Sequence, residues 1–369
     1  MYIYQDIDWP NFYWDNDALF ELLSVVSRQQ GRLLGTMESL GWSLQSEAML
    51  QSMTTEIIKS NEIEGEVLDH DQVRSSIARR LGLEIAGLIP ADRNVDGVVE
   101  VMLDATQKFK GQLTKQRLFG WHAALFPSGR SGMHKIVVGK WRDNTSEDPM
   151  QVVSGAMGKE KVHFQAPQSE VLTREMTKYL KWFNAKEQMN PLIKAAIAHL
   201  WFVTIHPFDD GNGRLARTIA DMQLARADGI PKRFYSMSAQ IRIERKEYYN
   251  ILEKTQQGSL NITQWLIWFL ECLNRSLIAS EKIVATVVSK ARFWDDIKTV
   301  ALNERQIKMI NMLFDNFTGK LTTSKWAKIC KCSPDTALRD INDLIEKGVL
   351  QKEQNGGRST NYKLQRVEI

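Results

Sequence analysis

The chain has little cysteine: Cys272, Cys330 and Cys332 are the only three in 369 residues. Cys330 and Cys332 are separated by one residue, too tight for an ordinary disulfide, and no Cys or His cluster has zinc spacing. The sequence therefore predicts free thiols in a reducing compartment. There is no internal repeat and no low-complexity tract, which excludes solenoids and disordered linker proteins. Net charge is also small, at +4 from 48 basic and 44 acidic residues, too small for a nucleic-acid coat. The whole surplus falls after Asn303, where 12 basic residues face 8 acidic ones, so attraction to a polyanion is expected at the C-terminal end. Long apolar runs are missing too. Lys194 and His199 interrupt the stretch 191–208, and Glu271 interrupts 262–273, so no membrane span is predicted. Residues 1–17 have no basic start and no apolar centre, so no secretory leader is read there, and the expectation is a soluble cytoplasmic protein.

What is present is material for a core. The chain is 43% hydrophobic, with 11 Trp and 14 Phe, enough for two or three folded domains. Helical periodicity dominates. Asp17 is a candidate N-cap for a helix with Leu19, Leu22, Leu23, Val26 and Leu33 on one face. Further helices are expected near 46–60, 70–82, 94–109, 115–126, 169–184, 190–205, 213–228, 244–257 and 263–290. The glycine-punctuated region 128–167 instead holds two β-prone runs, Met150 to Val153 and Val162 to Phe164, joined by a turn at 154–158. It reads as a hairpin on a helical body. After Asn303 come three helices and two short strands around Asn355-Gly356-Gly357, a winged-helix pattern in which Thr322 and Ser333 are caps and Pro334 opens the third helix. Arg339, Lys352, Arg358 and Lys363 suit phosphates. Asp335, Asp340, Asp343 and Glu346 on the same third helix suit a protein partner instead.

The chemistry concentrates in His206-Pro207-Phe208-Asp209-Asp210-Gly211-Asn212-Gly213-Arg214-Leu215-Ala216-Arg217. Pro207 ends an apolar helix and leaves His206 at its exit. Gly211 and Gly213 bare the backbone on either side of Asn212, where a new helix begins. Free N–H groups and the helix dipole make that point an anion site. Arg214 and Arg217 share a face of the first turn and can clamp a polyphosphate. Asp210 offers a hard oxygen to Mg²⁺, and His206 is the one group able to take a proton near neutral pH.

This segment resembles the Fic signature, H-x-F-x-[D/E]-G-N-G-R-x-x-R, at every fixed position, and the likeness extends over about Leu113 to Ser289. The resemblance implies a mainly α fold: a Fic helical core with a small β-hairpin flap at 113–295, an N-terminal helical extension at 1–112 and a winged-helix module at 300–369. It implies transfer of AMP from ATP to Ser, Thr or Tyr hydroxyls of proteins, including the chain itself, with release of pyrophosphate. His206 would be the base, Asp210 the Mg²⁺ ligand and Asn212 a phosphate contact. The stretch from Gly211 and Gly213 through Arg214, Leu215 and Ala216 to Arg217 would line the nucleotide. Gly213, where phosphorylating relatives carry Lys, favours the AMP-transferring orientation. The flap would bind the target by strand addition, with Val152, Val153, Ser154 and Gly155 beside the nucleotide. Tyr248, Tyr249 and Gln256 would lie at the adenine, although the tyrosines also suit helix packing. Ser60-Asn61-Glu62-Ile63-Glu64-Gly65 fits the family's inhibitory motif. Glu64 would pair with Arg217, Ser60 would orient the helix, and Ile57, Ile58 and Ile63 would pack it. A nucleotide-sensing regulator acting through the winged helix, and removal of AMP at the same site, are the alternatives. DNA contact and a homodimer stay open.

Overall fold

The computed structural model describes residues 1–83, 87–145, 147–155, 161–186, 188–315, 317, 319–353 and 360–365. The fold is mostly helical and divides into two compact units, the first from Met1 to Glu281 and the second from Lys282 to Ile369.

The first unit opens with α1 (Asn16–Glu38) and α2 (Trp42–Ile63). The cap of α1 is Asp15 and not Asp17: the Asp15 carboxylate accepts from the amides of Asp17 and Ala18, while Asp17 lies in the first turn. Two acidic residues of equal capping aptitude stand two apart, and the upstream one reaches the free amides. Next come α3 (His70–Leu81), α4 (Arg93–Gln107) and α5 (Lys115–Leu125), capped by Asp69, Asp92 and Thr114. A tiny hairpin, β1 (Arg130–Ser131) and β2 (His134–Lys135), lies inside the glycine-rich region, where the sequence pattern does not reveal it. The expected hairpin is β3 (Gln151–Ser154) and β4 (Lys161–Gln165), antiparallel, with a bulge after Val152. Residues 156–158 of its turn lie outside the described residues.

Then follow α6 (Leu172–Asn184), α7 (Pro191–Ile205) and α8 (Asn212–Asp228). Every residue of α7 from Leu192 to Ile205 is buried, and α8 is buried along nearly its whole length. A helix apolar on all sides belongs at the centre of a domain. Here α7 and α8 pack on each other and hold the loop between them rigidly. The unexpected α9 (Met237–Ile243) precedes α10 (Arg245–Gln256) and α11 (Thr263–Asp296). Ile57, Ile58 and Ile63 of α2 are 1%, 9% and 0% exposed, so the end of this N-terminal helix is fixed within the same core.

The second unit contains α12 (Glu304–Asp315), α13 (Thr323–Cys330), α14 (Pro334–Glu346), β5 (Leu350–Lys352) and β6 (Tyr362–Leu364). Thr322 and Ser333 cap α13 and α14 as expected, and Trp326, Ile341, Leu344 and Leu350 are fully buried in its core. Two of the acidic residues that argued against DNA are engaged inside the module. Asp340 accepts a two-point bond from Arg305 (2.7 and 3.0 Å), and Asp343 accepts from Gln306 and Lys347. Arg339 is exposed on α14. Residues 354–359, with Arg358 and the wing glycines, lie outside the described residues.

Candidate active site

The α7 helix ends at His206, whose φ of 52° is left-handed and whose amide still donates to the Phe202 carbonyl at 3.0 Å. Its Nδ1 lies 3.2 Å from the Val203 carbonyl. A carbonyl only accepts, so Nδ1 carries the proton and Nε2 keeps its lone pair. Burial lowers the imidazole's pKa to about 4, against the opposing Val203 bond, so the ring is neutral at physiological pH. Arg142 holds the turn. Its Nε donates to the His206 carbonyl at 2.7 Å and its amide to that of Pro207 at 3.0 Å.

The loop from Phe208 to Asn212 is braced internally. Asn212 was expected at a phosphate, but its side chain closes the loop on itself: Oδ1 accepts from the Phe208 amide (3.0 Å) and Nδ2 donates to the Phe208 carbonyl (2.7 Å). Asp209 accepts from the Val137 amide at 2.8 Å. Asp210 accepts from Ser131 Oγ and from the Gly211 amide. His122 sits beneath, stacked on Phe208 at 4.1 Å, accepting from the Gly139 amide and donating to the Asp210 carbonyl. Gly211 combines a φ of 78° with a position where a Cβ would meet Phe126 at 2.9 Å, so only glycine fits without strain.

Helix α8 begins at Asn212, so the amides of Asn212, Gly213 and Arg214 have no carbonyl one turn earlier within the helix. Leu215 and Ala216 are fully buried, and the Leu215 amide already donates to the Gly211 carbonyl, so these two support the turn and do not face outward. Arg214 and Arg217 are 4% and 3% exposed, and buried Arg214 Nε and Arg217 Nη1 have no hydrogen-bond partner among the described residues. The result is an anion cradle with donors to spare.

Carboxylates from the N-terminal extension already stand in that cradle. Glu64, at the end of α2, accepts from Arg217 Nη2 at 2.8 Å, and its Oε1 lies 2.3 Å from where a Cβ on Gly213 would be. Ser60 accepts from Arg217 twice, through Oγ (3.0 Å) and its carbonyl (2.9 Å). Burial alone would raise the Glu64 pKa, but Arg217 outweighs it and the net shift is downward. Arg217 is likewise pushed up by Glu64 despite burial. Sequence reasoning missed the second pair: Glu66 accepts from Arg214 Nη1 at 2.7 Å, with Asn61 Oδ1 3.4 Å from the same atom. Gly65, with φ of 87°, turns the chain so that residues two apart reach two different arginines. Arg142 and His122 were missed too. Neither has a local motif, and the bonds that tie them to the His206–Asp210 loop reach backbone carbonyls more than 60 residues away.

Helix α10 sorts the adenine candidates. Tyr248 and Gln256 point into the core with Leu252 and Thr255, at helical spacing. Tyr248 is 1% exposed and meets His199 Nε2 at 2.9 Å, while Gln256 donates to Thr204 at 3.2 Å. Tyr249, one residue round the helix, faces the site and donates to Glu64 Oε2 at 3.1 Å. On the flap, Val152 is half-buried and Val153, Ser154 and Gly155 are exposed.

Three sequence profiles match the chain: a domain of unknown function (DUF4172) over residues 2–83, the Fic/DOC family over 112–224 and a DeoR-like helix-turn-helix domain over 305–363. Among curated relatives, the protein adenylyltransferase Fic of Culex quinquefasciatus is 34% identical over 104 residues, which is 28% of this chain and 19% of that protein. Protein adenylyltransferase fic-1 of Caenorhabditis briggsae is 26% identical over 247 residues, 65% of this chain and 45% of that protein. The chain thus spans less than half the length of these relatives. In fold it resembles a Fic family protein from Desulfovibrio desulfuricans G20, with a TM-score of 0.53 and 19% identity over 97% of this chain and 98% of that one. It also resembles a Fic domain containing signaling protein from Bacteroides thetaiotaomicron VPI-5482, with a TM-score of 0.51 and 22% identity over 70% and 96%. With the signature, the helical core and the family match falling on the same residues, the segment 112–224 is a Fic/DOC family domain.

Proposed function

We propose that this site transfers AMP from ATP to a hydroxyl side chain of a target protein, releasing pyrophosphate, and that the form described here is its inhibited state. The observation that carries the reading is the pairing, across one braced loop, of a neutral His206 whose Nε2 keeps its lone pair and a cradle of N–H donors, on Arg214, Arg217 and the start of α8, without partners among the described residues. The target Ser, Thr or Tyr hydroxyl gives its proton to His206 Nε2 as its oxygen attacks the α-phosphorus, and the bond to pyrophosphate breaks. Donors fixed in advance stabilise the charge that builds on the phosphates without reorganising. The named activity of the Culex and Caenorhabditis relatives supports this chemistry.

Mg²⁺ fits the donor set. Such a cation is usually held by one or two carboxylates plus substrate phosphates, and Asp210 presents one carboxylate beside the cradle. When bound, it would neutralise phosphate charge. Glu64 and Glu66 compete with nucleotide for both arginines, which is the autoinhibition. Among the described residues β3 and β4 form a two-stranded sheet, and an extended target segment can add a strand along β3. The winged helix offers Arg339, Lys352 and Lys363 to DNA. His206→Ala should abolish transfer of labelled AMP to a target protein while ATP still binds. Transfer at an unchanged rate removes His206 as the base. ATP binding with no transfer by the parent chain or by Glu64→Gly, together with sequence-specific DNA retention, would favour the nucleotide-sensing regulator.

A further inference from the structure

We propose that Ser154 on the flap is itself an acceptor of AMP, activated through His163 and Glu253; this rests on the transferase reading above. Ser154 Oγ lies 2.6 Å from His163 Nε2, and His163 Nδ1 lies 2.7 Å from Glu253 Oε2. The His163 bond holds the Glu253 carboxyl below its usual range, so Glu253 is an acceptor and Nδ1 carries the ring proton. In the neutral ring Nε2 is then the lone-pair end, and Ser154 Oγ–H donates to it. That polarity, hydroxyl to imidazole to carboxylate, is the one that activates a serine as a nucleophile.

The hairpin does not need this chain of bonds to hold its register, because the backbone pairing does that. The bulge leaves His163 without a register partner, since Val152 pairs with Phe164 and Val153 with Val162. Bulges commonly re-aim a side chain; here the ring turns to Ser154 on one side and α10 on the other. Ser154 is exposed, so its hydroxyl is open to a substrate.

Helix α10 sets the distance to the cradle. Arg245, Tyr249, Glu253 and the following Gln257 recur every four residues along one face. Arg245 donates to the Ile63 carbonyl (2.7 Å), Tyr249 to Glu64 (3.1 Å), and Gln257 to the His163 carbonyl (2.9 Å). One stripe therefore runs from the carboxylate standing in the cradle to the flap serine. Tyr249 and Glu253 are a single turn apart, about 5–6 Å between Cβ atoms, so the residue bonded to Glu64 and the residue bonded to His163 are neighbours on that face. Lys161, the register partner of Ser154, adds a cation: its Nζ is 3.5 Å from Glu253 Oε1 and its side chain is 68% exposed.

In the step, Ser154 Oγ bonds to the α-phosphorus of ATP and the bond from that phosphorus to the pyrophosphate oxygen breaks. The hydroxyl proton goes to His163 Nε2, and Glu253 stabilises the imidazolium. The products are a serine–AMP phosphodiester and pyrophosphate. To test it, full-length Glu64→Gly protein is incubated with Mg·ATP, digested and mapped by tandem mass spectrometry. AMP on the Ser154 peptide is expected. Adding His163→Ala should cut that adduct by about 10²-fold, and free imidazole should restore part of it, which a hairpin clip with no proton role would not do. AMP on other residues but never on Ser154 overturns the proposal and leaves the transferase reading standing. AMP nowhere overturns both. A Ser154 adduct indifferent to His163→Ala overturns the relay.

Discussion

Glu64→Gly should move two observables in opposite directions. The carboxylate lies 2.8 Å from a guanidinium whose side chain is 2% exposed, while its own is 30% exposed. Hydrogen bonds to charged groups contribute about 1.5–3 kcal/mol, and partial solvent access trims this pair to about 1–2 kcal/mol. Ser60 still holds Arg217 in the variant. Without nucleotide, the variant should therefore lose about 1–2 kcal/mol of stability, read as a lower Tm, because a buried cation has lost its partner. With ATP the same 1–2 kcal/mol returns as affinity, about 5- to 30-fold tighter binding, and at saturating ATP the Tm difference should close. The transfer rate should rise further, since even a ~1 Å misplacement of the α-phosphate costs on the order of 10²-fold. Calorimetric titration with ATP, thermal melts with and without nucleotide, and initial AMP-transfer rates read these effects. Glu62→Gln is the control: Glu62 pairs with Lys59 and Arg242 at the surface and touches neither Arg214 nor Arg217. Unchanged affinity and rate in Glu64→Gly would refute the competition argument, whatever happens to Tm.

Glu66→Ala should add a second, smaller activation on top of Glu64→Gly, because it frees Arg214 while its own carboxylate is 40% exposed; a double variant no faster than Glu64→Gly alone contradicts a two-point lock. The pH profile of kcat/KM follows from the His206 pKa of about 4. A base must be unprotonated to act, and burial moves this pKa below the ordinary 6.5, so the rate should stay level from about pH 8 to 5 and fall only near 4. An inflection near 6.5 in Glu64→Gly would show a solvated ring. Gly211→Ala should destabilise the domain by about 1–3 kcal/mol in a denaturant melt, through left-handed strain and the Phe126 contact; an unchanged midpoint would mean the loop reshapes freely.

The legible parts were those set by local chemistry. Pro207, Gly211 and Gly213 mark the helix–loop–helix because each restricts or frees one backbone position, and Thr322 and Ser333 cap the helices they precede. Ser60 and Glu64 were readable through the family resemblance, whose inhibitory motif they fit, and both meet Arg217. Facing was harder. Tyr248 and Tyr249 differ by one step of about 100° around a helix, and the sequence did not decide which one the core takes. Glu66 and Asn61 lie around a helix end where Gly65 reverses the chain, so no periodicity ties them to Arg214. Helix α9, at seven residues, and the two-residue strands β1 and β2 are too short to leave a periodic signal.

The central claim, that AMP and not phosphate is transferred, meets its most direct test in one paired labelling. Glu64→Gly protein is incubated with Mg²⁺ and ATP labelled at the α-phosphorus, or in parallel at the γ-phosphorus, and the protein is recovered under denaturing conditions. The account predicts covalent label from the α position and none from the γ position, with the α label outside the Ser154 peptide lost in Glu64→Gly/His206→Ala. Label retained from the γ position, or from neither, would contradict it.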